Sequence, residues 1–99
     1  MAGQRLFAVG RYGDAAAEFA AAETGFRAAG AAHAHKTVES VLGAASALAL
    51  AGRESEASAR IVDALAAFPT APPRLIARLR QGGTELKRWP FRTGDRALL

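Results

Sequence analysis

Two histidines, four serines and a basic, aromatic-containing stretch near the end of the chain are the residues whose types could do chemistry. His33 and His35 stand two apart; on a helix they point about 200° away from each other, so they cannot share a metal ion in that state. Ser40, Ser46, Ser55 and Ser58 have no nucleophile context, and nothing resembles a glycine loop that cradles phosphate. The Asp and Glu residues are scattered over helix faces, and none sits in a motif that would pair it for acid–base work. The expectation is a non-enzymatic chain with no catalytic residue, metal site or cofactor.

The basic stretch RLIARLRQGGTELKRWPFR supports two readings. Arg74, Arg78, Lys87, Arg88 and Arg92, with Trp89 and Phe91, could hold phosphates by charge and a base by stacking. Alternatively Leu75, Ile76 and Leu79 face inward from an amphipathic capping helix, the arginines face outward, and Trp89 anchors a tail. No recognised nucleic-acid motif is present. Residues 1–69 hold six Lys/Arg and seven Asp/Glu, whereas residues 70–99 hold seven Lys/Arg and two Asp/Glu. The whole-chain charge of +4 therefore arises in the last third, which marks a change of role or environment near residue 70.

Positioning these residues falls to helices. Ninety-nine residues make one domain at most. Alanine supplies 26 residues, is the best helix former and permits close packing; the four Val and two Ile are scattered. The fold class is all-α. With no cysteine, disulfides and thiolate metal sites are excluded. The N-terminal MAGQRLFAVG is broken by glycines and too short for a signal-peptide core. The most apolar run, Val41 to Ala51, is eleven residues and cannot span a bilayer. A soluble, cytoplasmic protein without membrane contact is expected.

Along the chain, Gln4 to Val9 reads as the end of a helix stopped by Gly10. Ala15, Phe19, Ala22 and Phe26 recur at helical spacing and predict a helix over about 12–29, with Gly30 past its end. A second long helix is predicted over about 32–50, burying Val38, Val41, Leu42, Ala45 and Leu48, and ending at Gly52. A third, about 54–67, repeats the stripe with Ala57, Ile61, Ala64 and Phe68, and Pro69 stops it. Thr70 is the expected N-cap for a short basic helix over about 73–81 that ends at Gly82-Gly83. One or two further turns over 84–89 would end at Pro90.

The chain also echoes itself. Shifted by 42 residues, Gly10-Arg11, Ala15, Ala17, Ala22 and Phe26 fall on Gly52-Arg53, Ala57, Ala59, Ala64 and Phe68; Phe19 meets Ile61 and Asp14 meets Glu56. Gly3 and Leu6 fall on Ala45 and Leu48. The Gly, Arg and Phe matches share one register and predict two copies of a helix-turn-helix unit.

These positions resemble a tetratricopeptide (TPR) repeat. Ala44, Ala45 and Leu48 suit the first helix, Gly52 the turn, and Ala57-x₃-Ile61, Ala64 and Pro69 the second helix and its end. Gly3, Leu6, Gly10, Tyr12, Ala15-x₃-Phe19 and Ala22 make the first copy. The period is 42 rather than about 34 residues, a length that resembles the longer repeats of large bacterial signalling and transcription-regulator proteins. The resemblance implies antiparallel helix pairs stacked as a short α-solenoid over residues 1–81, with units at about 1–29 and 32–69, a cap at 70–81, and a basic tail at 82–99.

It also implies a function. The first helices of such pairs line a groove for peptides or helices, and register places Gln4, Ser46 and Arg80 there, with Glu39, Gly43 and Ala49 nearby. Gly43 stands where some relatives carry a carboxylate-gripping residue, so that binding mode is not expected. Tyr12, Phe19, Leu48 and Ile61 are assigned to scaffold. The expectation is a protein-interaction or assembly module for a partner peptide or helix. Because about three repeats are usually needed for stability, self-association, a borrowed partner or a longer array is also expected. The alternatives are a nucleic-acid-associated regulator using the basic third, or a fragment of a larger regulator.

Overall fold

The computed structural model describes residues 2–68 and 71–88. Within them the chain forms helices α1 (Ala2–Ala8), α2 (Tyr12–Ala29), α3 (Ala34–Leu50), α4 (Glu54–Ala67) and α5 (Pro73–Thr84). Short 3₁₀ turns at Ala31–His33 and Leu86–Arg88 complete the elements, with no strand among the described residues. The expected all-α class is what is seen. No helix there is long and apolar enough to cross a membrane.

Helices α2 and α4 begin and end where the sequence places them, because local chemistry sets both ends. Gly10 and Gly52 adopt positive φ, 82° and 88°, a conformation costly for residues with a Cβ. Around them the same hydrogen bonds recur. Gly10 N–H donates to Phe7 C=O at 3.1 Å and Arg11 N–H to Leu6 C=O at 2.9 Å. Forty-two residues on, Gly52 N–H donates to Ala49 C=O at 3.1 Å and Arg53 N–H to Leu48 C=O at 2.8 Å. Each is a Schellman turn that satisfies the last carbonyls of one helix before the next begins. The arginine after each glycine pairs with the acid three residues on, Arg11 with Asp14 and Arg53 with Glu56, both at 2.6 Å.

The core sits on α3. Every residue from Ser40 to Ala49 is buried, and no charge falls between Ser40 and Leu50. A helix apolar all round needs neighbours all round. Helices α2, α4 and α5 and the turn Leu86–Arg88 all pack on α3, and α1 packs on α2 and touches α3. Ala15, Ala57, Ala45 and Ala64 are at most 1% exposed, and Phe19, Ile61 and Leu48 at most 4%, so small residues let the helices approach while large ones fill the spaces between them.

Two local readings need correction. The second long helix starts at Ala34, with the preceding residues Ala31–His33 in a 3₁₀ turn. Helix α5 does not stop at Gln81; it continues through Gly82 and Gly83 to Thr84. Gly82 is buried, and a Cβ on Gly83 would lie 3.6 Å from Ile61 Cγ2, so packing against α4 overrides the low helix propensity of glycine. The proposed helix stop at Pro69 and N-cap at Thr70 lie outside the described residues.

Candidate interaction surface

Arg78 and Glu39 carry the strongest polar contact between distant elements. Arg78 Nε donates to Glu39 Oε2 at 2.8 Å and Nη2 to Oε1 at 3.0 Å. The side chains are 27% and 24% exposed, and the paired geometry is the strong form of this ion pair. The sequence assigned Glu39 to a groove and Arg78 to polyanion contact; they are instead committed to each other. Their 39-residue separation gave no local signal.

The groove assignment at Ser46 is overturned. Ser46 is 0% exposed and its hydroxyl has no hydrogen-bond partner; Ser40 is the same. Ala49, placed nearby, is 1% exposed. Gly43 faces the Phe19 ring on α2 rather than an open surface. The reason is the enclosure of α3, with α5 and the Leu86–Arg88 turn lying along it and Leu86 packing against its core. Arg74 lines one cavity with His35 while Arg78 grips Glu39, so α5 runs in the same direction as α3.

Other sequence-assigned residues stay at the surface. Gln4 on α1 and Arg74 and Arg80 on α5 are exposed, and neither arginine forms an ion pair among the described residues. Lys87 Nζ lies 3.7 Å from Glu54 Oε1 with both side chains more than half exposed, a pair of little energetic weight. Arg88 contributes backbone to the last 3₁₀ turn, while Trp89 and Arg92 lie outside the described residues. No hydrogen bond or ion pair among the described residues joins Gln4, Glu39 and Arg80 to one another.

A second polar cluster ties α2 to α4. Glu23, 13% exposed, pairs through Oε2 with Arg27 at 2.7 Å and through Oε1 with Arg60 at 3.1 Å. The Arg27 guanidinium also lies 4.9 Å from the Phe68 ring centre, a cation–π contact. Glu23 and Arg27 show the i,i+4 spacing of a helix pair; Arg60, 37 residues from Glu23, carries no such signal. Beside this cluster a largely apolar cavity of about 500 Å³ opens, lined by Gly30, Ala31, Ala34, Phe68 and Pro72 among others. A smaller one of about 360 Å³ is lined by His35, Arg74, Leu75 and Arg78.

The two histidines lie in different elements, His33 in the 3₁₀ turn and His35 in the first turn of α3. His33 stacks on Phe26 with ring centres 6.2 Å apart, and His35 is exposed beside Arg74. Among the described residues no three His, Cys, Asp or Glu side chains come together as a metal would need. Comparison with protein-family models, with curated proteins and with solved structures gives no match for the chain.

Proposed function

We propose that the chain is a non-catalytic, TPR-like interaction module that holds a peptide or helix of a protein partner. The observation that carries this reading is the recurrence of one helix–turn–helix geometry at a 42-residue period. Gly10 and Gly52, Arg11 and Arg53, and Ala15 and Ala57 occupy matching places in two turns with matching hydrogen bonds. Packing of α5 on α3, and the contact of α1 with α3 from the other side of the pair, support it, since stacked repeats bring their first helices side by side. Helix pairs of this kind serve as binding surfaces, and Gln4 and Arg80 are the groove residues that are exposed.

The test is retention of partners by the tagged chain from its native lysate, with and without nuclease and at two salt concentrations, read by mass spectrometry. A defined protein that survives nuclease and high salt is the expected result. Loss of all retained material on nuclease or salt treatment would transfer the role to the basic last third, Arg74 and Lys87 first among its exposed cations, because polyanion binding falls steeply with salt.

A further inference from the structure

The cavity of about 500 Å³ beside Arg27 is built by both repeats. Gly30, Ala31 and Ala34 wall one side, and Phe68, Ala71 and Pro72 the other. A shift of 42 residues carries Gly30 onto Pro72, so one stretch of the repeat supplies both walls. The space exists because the copies differ in length. From matching turns at Gly10 and Gly52, α2 runs 18 residues and α4 only 14, so the corner between α2 and α3 reaches past the end of α4.

Its volume falls within the range of about 300–1,000 Å³ usual for small-molecule sites, which likewise combine apolar walls with a few polar groups. Here those groups are Thr37 and Arg27. Thr37 is 2% exposed and its hydroxyl donates to His33 C=O at 3.1 Å, so its proton is already committed. Arg27 meets Glu23 through Nη2 and Phe68 through its face, which leaves Nε and Nη1 without a hydrogen-bond partner among the described residues. Glu23 is shared between Arg27 and Arg60, so this cluster holds two cations to one anion. No Asp or Glu among the described residues lines the cavity.

We propose that this cavity binds a small amphipathic monoanion, its apolar body seated between Ala34 and Phe68 and its carboxylate on the Arg27 guanidinium. The small side chains of Gly30, Ala31 and Ala34 leave room for the body, and the open edge of Arg27 takes the anion by charge-assisted hydrogen bonds. Glu23 and Phe68 hold that guanidinium in place before any ligand arrives, which lowers the ordering cost of binding. Neither Gln4 nor Arg80 lines the cavity, so the site is separate from the groove assigned to a protein partner and does not rest on that reading. A ligand here touches both repeats at once and stabilises their packing by mass action.

The probe is 2-naphthoate, titrated into the full wild-type chain and followed by amide chemical shifts, with its neutral isostere 2-naphthamide as the control. Saturable shifts are expected at the amides of Gly30, Ala31, Ala34 and Phe68, with the carboxylate bound about tenfold or more tightly than the amide. Arg27→Gln is expected to bring the two ligands to equal affinity. Ala31→Trp, at an exposed position on the wall, is expected to fill the cavity and abolish binding of both. The site is overturned by an absence of saturable shifts at millimolar naphthoate, by shifts confined to other residues, or by unaltered binding in the Ala31→Trp chain. Equal affinity of the two ligands for the wild-type chain overturns the role of Arg27. If Arg27→Gln prevents folding, the wild-type comparison and Ala31→Trp still decide. A negative lysate experiment leaves this result untouched, and a negative naphthoate titration removes the cavity site alone.

Discussion

The ring of Phe19 rests on the bare backbone of Gly43: a Cβ added there would stand 2.7 Å from Cε1 of the ring. Gly3 meets the same ring from α1, where an added Cβ would lie 3.0 Å from Cδ1. One buried aromatic from α2 thus sets how closely two other helices approach. Both glycines are needed for space, since both sit in helices where alanine would otherwise be preferred.

Gly43→Ala therefore pits a propensity gain of about 1 kcal/mol against overpacking of about 1–3 kcal/mol. Because the clash is with the body of a ring that is 1% exposed, overpacking is expected to win. Urea unfolding should show a net loss of about 1 kcal/mol. Adding Phe19→Leu should cost less in the Gly43→Ala background than alone. Gly25→Ala on α2, where nothing lies within 4 Å, should instead gain about 0.5–1 kcal/mol. A gain at Gly43 equal to that at Gly25 would show that the ring is free to move.

Ser40 and Ser46 bury hydroxyls with no hydrogen-bond partner, each leaving a desolvated polar group of about 1–3 kcal/mol. Ser40→Ala and Ser46→Ala should each raise the urea midpoint without changing the slope, by about 1 kcal/mol when converted. A loss at Ser46 would indicate that its hydroxyl is bonded in solution.

Gly10 and Gly52 have positive φ and open space around the position of a Cβ, so alanine at either meets a conformational cost rather than a clash. That cost is about 1–2 kcal/mol. Since the turns share their hydrogen bonds, the two single substitutions should cost nearly the same, and the double the sum to within about 0.5 kcal/mol. Unequal costs would mean that the two turns, alike in geometry, differ in how much structure depends on them.

What the sequence determined by itself is what depends on near neighbours along the chain. The apolar stripes through Phe19 and Ile61, the glycines at 10 and 52, and the acids that follow specify α2 and α4 and where each begins. They also specify one turn twice, because helix periodicity, capping and positive φ are properties of short segments. The buried set on α3 was legible in part. Val38, Val41, Leu42, Ala45 and Leu48 form its apolar side, but Ser40, Gly43 and Ser46 are buried as well. Only the tertiary structure decided that, because burial of a serine or a helical glycine depends on what arrives from elsewhere in the chain. The same holds for the passage of α5 through two glycines, for Arg78 on Glu39 and for Arg60 on Glu23. A charge 39 residues from its partner leaves no periodic trace.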